Sequence, residues 1–595
     1  MLSLIEFKPN KEVERKVNFF ADYYLYANKY LGRYSHLRFE TPYTLVVKII
    51  FQLENNPDKW MGYIHNYMAH PYLDLKFLED YLSIKNFSHY EAAKEWMTNY
   101  QNCKVKIDSA NKNKLKKQLE EQLRDNYYAN LPVIKAFAQE LEEKQLEVLV
   151  NLLNNRLQCQ HSLEESEHKQ DLRFLACMIN SDLKFSDLSE KGVSQLIHKL
   201  MSKRHQTFPL PSHIEEKRSQ EDFLSIVENF FANRTFTEQF EGILNFKEKK
   251  NKGCYLYKVY GFILPEGKVF DYNGIKFHPA DDLKFKLLRD DKRNSEFFLE
   301  ENISIAVIEG NTRNSNQAKS LLEDLERILG YFNVKNQLNS YVDRSCYLVT
   351  EDFISCINSW SWDKSSSQLT ELDFDSLQYD SPFFCQYTSE ALISFQSKEK
   401  IYELAVTSKE VTLLWQYLEA LIPLRDGKKQ VKAICAKMLL LYYKKNIRRH
   451  YAEAIINLLI VLSKLPTHED DISRTELNKM AWPEVNPKLI YETSAAFEEQ
   501  YPMIKETRDA YKNAHKELKT EYNYYCQILE EFYELRNAYI HGGEVTSHAN
   551  IKLSHIIPKY VKQIRFILMK EMEAQQELSF TELIKKLSKE ADQLI

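Results

Sequence analysis

The chain has 595 residues, of which 28% are charged and 44% hydrophobic, and its formal net charge is −5. This length exceeds what a single hydrophobic core supports, so we expect three or four domains. The slightly acidic balance excludes a generally basic nucleic-acid coat. Any contact with a nucleic acid must therefore be made by a local patch.

Cysteine usage and hydropathy narrow the class of protein further. Nine cysteines, an odd number without a Cys-x-x-Cys pair, favour buried thiols in a reducing cytosol over a disulfide framework. Residues 1–8 lack the basic and apolar regions of a signal peptide. The longest apolar stretch, residues 454–462, contains Asn457 and is too short to cross a bilayer. We expect a soluble cytoplasmic protein with no membrane partner.

The N-terminal part of the chain is predicted to be helical. Residues 1–205 are rich in Lys, Glu, Leu and Tyr, contain almost no glycine, and space their leucines helically, as at Leu115, Leu119 and Leu123. A proline-containing break at 209–212 predicts a linker, and a further helix follows near 222–233. We therefore assign 1–205 as a helical region and 206–235 as a linker with a helix.

The middle of the chain, residues 236–400, is predicted to be an α+β domain. Its β-rich segments lie at 255–264, 275–277, 283–287, 303–308, 347–353 and 391–395. The first two are separated by Pro265-Glu266-Gly267, which indicates antiparallel strands. A helix at about 315–332 is expected to pack behind them. The whole chain is thus predicted to be mainly α and multidomain, with this β-containing domain between helical parts.

The last third of the chain is predicted to be a helical bundle over residues 401–580, followed by a tail at 581–595. We expect its helices at 415–421, 437–464, 499–541 and 557–573. The third of these has an apolar stripe that should face the core, formed by Tyr525, Ile528, Leu529, Phe532, Leu535 and Tyr539.

A short polar motif stands at the end of that third helix: Arg536, Asn537 and His541, followed by Gly542-Gly543. The glycines predict that the helix stops there. Unpaired carbonyls at a helix C-terminus favour positive charge, so the pKa of His541 should be raised and the imidazole suited to proton transfer. Asn537 and His541 share a face, whereas Arg536 and His541 differ by about 140° in azimuth. A plainer alternative is that Arg536 pairs with a core-edge carboxylate while His541 only caps the helix.

The motif resembles the signature of the HEPN superfamily of nucleotide-binding domains, whose ribonuclease members carry such an arginine, polar residue and histidine. The resemblance covers about residues 400–580 and is to the Apea-like branch found in bacterial anti-phage proteins. It implies metal-independent RNA cleavage by the ribose 2′-hydroxyl. His541 would then be the general acid or base, Arg536 the phosphate clamp and Asn537 an orienting residue. Glu419 matches an acidic position on a neighbouring helix, and one motif per chain implies a homodimeric composite site.

A basic run precedes the motif. Residues 425–450 hold nine Lys or Arg against one acid, Asp426. The candidate RNA-binding residues are Lys428, Lys429, Lys432, Lys444, Lys445, Arg448 and Arg449. Tyr442 and Tyr443 lie among them and could stack bases. The alternative is a solvated helix face with both tyrosines in the core.

Other signatures are missing from the sequence. It has no P-loop and no Gly-x-Gly-x-x-Gly fingerprint, and Cys159, His161 and His168 lack a fourth ligand, so we expect neither cofactor nor metal. The sequence therefore predicts an RNA endonuclease of abortive-infection defence. Its substrate would be RNA, with tRNA as one candidate, and a regulatory partner or phage-derived trigger would control it through the preceding 400 residues. The alternative is a non-catalytic HEPN scaffold or toxin–antitoxin component that binds a partner protein or nucleotide.

Overall fold

The chain folds into two compact units. The computed structural model describes residues 11–55, 64–83, 87–109, 113–185, 193–197, 212–233, 243–244, 252–285, 303–311, 322–333, 340–349, 354–358, 394–405, 411–422, 428–462, 487–498, 501–541, 547–575 and 577–595, with short gaps inside several of these ranges. The larger unit comprises Met1–Phe185, Ile197–Leu244 and Ser381–Ile595, and the smaller comprises Ser186–Leu196 and Asn245–Asp380. Both ends of the chain thus belong to the same unit.

The N-terminal part of the larger unit is helical, as predicted. Its helices are α1 (Lys11–Tyr30), α2 (Pro42–Asn55), α3 (Leu75–Leu82), α4 (Tyr90–Ser109), α5 (Asn113–Gln158), α6 (Ser166–Phe185), α7 (Ser212–Glu215) and α8 (Phe223–Asn233). Helix α1 packs against α6, while α2 and α4 pack against α5. Asp74 caps α3, because its carboxylate accepts the backbone N–H groups of Lys76 and Phe77 at 3.0 and 3.4 Å.

The smaller unit is built on one antiparallel sheet of six strands among the described residues. The strands are β1 (Lys252–Tyr260), β2 (Phe270–Tyr272), β3 (Ile275–Pro279), β4 (Ile303–Asn311), β5 (Tyr341–Val349) and β6 (Ile354–Asn358), in the order β2-β3-β4-β1-β5-β6. Every neighbouring pair is antiparallel, which confirms the predicted orientation.

Side chains alternate between the two faces of this sheet. Tyr255 and Tyr257 of β1 belong to one buried cluster, and Leu256 between them belongs to another. The first cluster includes Leu325 and Leu329, which lie in the segment predicted to form a helix behind the strands. The described residues of that segment thus pack on the sheet face where the sequence predicted a helix.

Two predicted strands differ from the structure. At 391–395 the described residues Ser394 and Phe395 are helical, and Phe395 is buried in the larger unit. At 283–287 only Phe285 is described, and it lies in a short turn of 3₁₀ helix. A short apolar run alone does not distinguish a strand from a buried helix segment, which is how the first error arose.

The C-terminal part of the larger unit is a bundle around one long helix. Its helices are α9 (Val411–Leu421), α10 (Lys428–Leu462), α11 (Pro487–Thr493), α12 (Pro502–Asn513), α13 (Leu518–His541), α14 (Ser547–Ala574) and α15 (Phe580–Asp592). Helix α10 contacts all of the others. None of the helices in the described ranges combines the length and apolar character needed to span a membrane.

The bundle departs from the predicted helices in three places. The helix expected at 499–541 is divided into α12 and α13, with no glycine or proline to mark the break. The closing helix α14 begins ten residues earlier than expected. The predicted tail is helix α15, which buries Leu583, Ile584 and Leu587. A capping box begins it, since Ser579 and Glu582 exchange hydrogen bonds at 3.3 and 3.0 Å.

The N-terminal helices and the bundle share one core. Gly32 lies just after α1 with φ +75°, and its carbonyl accepts the hydroxyls of Tyr524 and Tyr560 at 3.0 and 2.8 Å. A Cβ at this position would lie 2.7 Å from Cδ1 of Ile556. The sequence predicted separate regions at 1–205 and 401–580. In the structure, the helices of both regions pack together in the larger unit.

Candidate active site

The motif helix α13 is held in the core along most of its length. Five of the six predicted stripe residues are at most 5% exposed: Tyr525, Ile528, Leu529, Phe532 and Leu535. The sixth, Tyr539, was wrongly placed in the core, because it is 48% exposed, and the adjacent Ile540 is 50% exposed. The last turn of α13 therefore extends beyond the core, and this is the turn that carries the motif.

Arg536 lies at the edge of the core, and only some of its guanidinium N–H groups have partners among the described residues. Its Nη1 donates to the side-chain oxygen of Asn537 at 3.1 Å. Its Nη2 lies 3.8 Å from Oε2 of Glu419, and its buried Nε has no hydrogen-bond partner among the described residues. The structure thus brings together three of the four predicted catalytic residues, and the longest of these contacts is a weak ion pair.

Packing of α9 against α13 sets the position of Glu419. Trp415 precedes Glu419 by four residues, so the two side chains share a face of α9. The fully buried Trp415 ring contacts Phe532 edge-on at 5.1 Å and Tyr533 at 5.3 Å between centroids. An apolar anchor therefore fixes the helix that presents the carboxylate to Arg536.

His541 is the last residue of α13, as the sequence predicted. Its side chain, like Gly542 and Gly543, lies outside the described residues. Its predicted pKa and its position relative to Arg536 therefore remain predictions. The plainer alternative also finds a counterpart here, because Arg536 does face a core-edge carboxylate.

Two residues of the basic run form ion pairs with acidic residues of the same chain. Lys432 pairs with Glu530 and lies 4.7 Å from the centre of the Tyr533 ring. Lys445 pairs with Glu571. These two candidate RNA-binding residues thus already have acidic partners, which reduces the positive charge they offer to a phosphate backbone.

The remaining basic residues leave a smaller exposed face on α10. Lys444, Arg448 and Arg449 are exposed, and the Arg448 guanidinium also lies 5.7 Å from the centre of the Tyr511 ring. The side chains of Lys428 and Lys429 lie outside the described residues.

The two tyrosines of this run differ in exposure. Tyr443 is 6% exposed and packs edge-on against Tyr34, so its predicted role in base stacking is wrong. Tyr442 is half-buried and contacts Phe566. The alternative of tyrosines in the core thus holds for one of the pair.

Metal ligands do not cluster in the described parts of the chain, where no three His, Cys, Asp or Glu side chains are placed to hold an ion. The residues considered at sequence level do meet: Cys159 Sγ lies 3.7 Å from Nδ1 of His168, whose ring stacks on His161 at 6.1 Å. Burial lowers the pKa of His168 to about 4, so its ring is neutral near pH 7.

A buried network of charged side chains, which includes Glu531 of α13, was not predicted from the sequence. Glu40 accepts hydrogen bonds from Lys48 at 2.7 Å and Lys552 at 2.5 Å, and Glu531 accepts from the same two lysines at 3.1 and 2.8 Å. All four side chains are at most 12% exposed. No local sequence pattern predicts this network, because its four residues come from three separate segments of the chain.

The pKa values in this network follow from its pairing. Burial alone would raise the pKa of Glu40, but the two ammonium groups outweigh it and hold that pKa well below its ordinary value. The pKa of Glu531 is lowered for the same reason, and those of Lys48 and Lys552 are raised by the carboxylates. The network is therefore fully ionised near neutral pH.

Comparison of the chain with family models, with curated proteins and with solved structures found no match.

Proposed function

We propose that this protein is a HEPN-type RNA endonuclease of bacterial antiviral defence, which cleaves RNA without a metal ion at Arg536 and His541. The observation that carries the proposal is the state of Arg536: among the described residues its guanidinium has a neighbouring amide and one long ion pair, and its Nε has no hydrogen-bond partner. A guanidinium that is held in place but still has free N–H groups can donate hydrogen bonds to a phosphoryl oxygen. The resemblance of the motif supplies the reaction class.

The chemistry needs one proton carrier and one cation. The ribose 2′-oxygen attacks the adjacent phosphorus, a new P–O bond forms, and the bond to the 5′-oxygen breaks. His541 takes the proton from the 2′-hydroxyl or gives one to the leaving 5′-oxygen. Arg536 stabilises the charge on the phosphoryl oxygens, and Glu419 holds the guanidinium in orientation. Two histidines are needed for both transfers, so we propose a homodimer in which each protomer supplies one.

The exposed face of α10 supports an RNA substrate. Lys444 and Arg448 lie four residues apart on one side of the helix, and Arg449 lies beside them. Exposed cations with this spacing suit successive phosphates of a single strand. We propose that the RNA backbone lies along the exposed side of α10 that carries Lys444 and Arg448, since Lys432 and Lys445 are engaged in ion pairs.

Alanine substitution tests the catalytic assignment. We expect Arg536→Ala and His541→Ala each to abolish RNA cleavage and cellular toxicity, with a loss of about 10²–10⁴-fold for His541 because general acid–base catalysis contributes that much. Lys519→Ala, an exposed change on the same helix, is the matched control. Cleavage assays and circular dichroism on purified variants decide between loss of chemistry and loss of fold. Near-wild-type cleavage by His541→Ala would refute the assignment.

The product ends test the reaction type. The mechanism yields a 2′,3′-cyclic phosphate and a 5′-hydroxyl, and it continues in excess EDTA. Mass spectrometry of the cleaved RNA, with and without the chelator, provides the measurement. A 5′-phosphate product, or activity that needs added magnesium in a folded protein, would contradict the proposal.

One observation favours a second candidate, a non-catalytic bundle that binds a partner protein. Tyr539 and Ile540 present exposed apolar surface on the same turn as the motif, and Arg536 already faces Glu419. In that case Arg536→Ala would weaken a complex without affecting any cleavage. The assays above separate the two candidates, because only the first predicts RNA products.

A further inference from the structure

A cavity of about 440 Å³ lies within the larger unit, at the end of α13 opposite to the motif. Its walls come from α1, α6, α10, α12, the first turn of α13 and the segment that joins α1 to α2. Cavities of this size hold small organic ligands. None of the residues in the candidate active site lines it.

One cation in this cavity has no acidic partner. Arg38 lines the wall and is half-buried, and no carboxylate among the described residues lies within ion-pair distance of its guanidinium. Arg173, the other arginine of the lining, is paired with Glu506, which also accepts from Lys169 at 2.8 Å. Arg38 is thus the basic group in this lining that can take an anion, and its planar fork suits two oxygen atoms at once.

The remaining titratable groups in the cavity lining are neutral or negatively charged, so Arg38 remains the group that can bind an anion. His36 is open to the cavity, and the surrounding protein, followed by the charges of Arg173 and Arg38, lowers the pKa of its imidazole to about 4. The ring is therefore neutral near pH 7. Asp509 and Glu517 also line the cavity, and both are exposed. Water screens them, but they oppose a second negative charge on a ligand.

Five of the residues that line the cavity are tyrosine or phenylalanine. Tyr23, Tyr26, Tyr443 and Tyr451 line the cavity and are each at most 7% exposed, and Phe174 joins them. Burial raises the pKa of each tyrosine, so the hydroxyls stay protonated and neutral. Flat apolar faces of this kind pack against a planar ring.

We propose that this cavity is a binding site for a small aromatic carboxylate, with the carboxylate on Arg38 and the ring against the tyrosines. The site also touches the segment that holds the motif helix. Ser35 lines the cavity, and its backbone N–H and hydroxyl both donate to Glu521 in the first turn of α13, the former at 3.1 Å. The proposal does not depend on RNA cleavage.

Isothermal titration of the full chain with three matched probes tests the site: 2-naphthoate, the neutral 2-naphthamide and the dianionic 2-naphthyl phosphate. We expect 2-naphthoate to bind at one molecule per chain and the other two at least tenfold more weakly. No binding of 2-naphthoate, or equal binding of the amide, would overturn the proposal. Tighter binding of the phosphate would overturn the assignment to a singly charged ligand.

Two variants locate the site. Arg38→Gln should weaken 2-naphthoate binding at least tenfold, and Arg38→Lys, which keeps the charge but loses the fork, should weaken it less. Ala510→Phe places a ring in the cavity from α12 and should block binding without touching Arg38. Arg124→Gln, an exposed arginine on α5, should bind as wild type. Unchanged affinity in both Arg38→Gln and Ala510→Phe would place the ligand elsewhere and refute the site.

Discussion

The two halves of helix α13 differ in how their polar groups are held. In the first half and middle, Glu521 and Glu531 are buried and bonded to Ser35, Lys48 and Lys552. At the far end, Arg536 has one ion pair among the described residues, at 3.8 Å, and Tyr539 and Ile540 after it are 48% and 50% exposed. One helix therefore combines a buried, hydrogen-bonded part with a partly exposed end that carries the motif. This difference predicts that stability and activity respond to changes at different positions.

The largest effect on stability is expected at the buried network. Lys552→Met leaves Glu40 and Glu531 with one lysine between them, and an uncompensated buried charge costs about 3–5 kcal/mol. Urea denaturation of the variant, compared with the exposed change Lys562→Met on the same helix, measures this cost. Equal stability of the two variants would show that the network does not hold α13.

Glu521 should make stability depend on pH. Burial raises the pKa of its carboxyl from 4.5 to about 7, so the folded state binds this proton more tightly than the unfolded state. The group therefore favours folding below pH 4.5, and this contribution is lost as pH rises from 4.5 to about 7, by about 3 kcal/mol in all.

Glu521→Gln removes that dependence while keeping an oxygen that can accept from Ser35. We expect the variant to match wild type at pH 5 and to be the more stable protein at pH 8. Denaturation midpoints of both proteins at the two pH values provide the measurement. A constant difference between them across this range would show that Glu521 does not titrate there.

Gly32 tests the contact between the chain's two ends. Ala at this position is strained at φ +75° and places its Cβ against Ile556, so we expect a loss of about 2 kcal/mol. Gly274 has φ +80° with no atom within 4 Å of the added Cβ, so Gly274→Ala carries the backbone strain alone. Calorimetry of both variants measures how much more stability Gly32→Ala loses than Gly274→Ala, and we assign this difference to the clash with Ile556. Equal losses would show that the Ile556 side chain moves aside at no cost.

The smallest stability change is expected at the end of α13 that carries the motif. Glu419→Gln breaks a partly exposed ion pair of 3.8 Å, which is worth less than about 1 kcal/mol. If Arg536 clamps a phosphate, this variant should still lose RNA cleavage, because its guanidinium is no longer oriented. Denaturation and cleavage measured on one preparation make the test. A large loss of stability with full activity would contradict the proposal that this end of α13 serves activity rather than stability.

Local sequence signals predicted the elements but not how they assemble. Helical spacing identified the buried stripe of α13, and β-rich composition around Pro265-Glu266-Gly267 identified antiparallel strands. The family resemblance, rather than any spacing, pointed to Glu419, whose Oε2 lies 3.8 Å from Nη2 of Arg536. The network of Glu40 with Lys552 could not be predicted, because a pair 512 residues apart leaves no periodic trace. The break before α13 carries no glycine or proline, so no local pattern marks it.

The sharing of one core by both ends of the chain sets the timing of assembly during synthesis. Ser35 leaves the ribosome 486 positions ahead of its partner Glu521, which corresponds to roughly 25–100 s at 5–20 residues per second. Throughout that interval Glu40 and Lys48 lack Lys552. The support of the motif helix is completed only when α14 has emerged. A chain released before that point carries the motif without the network that holds its helix.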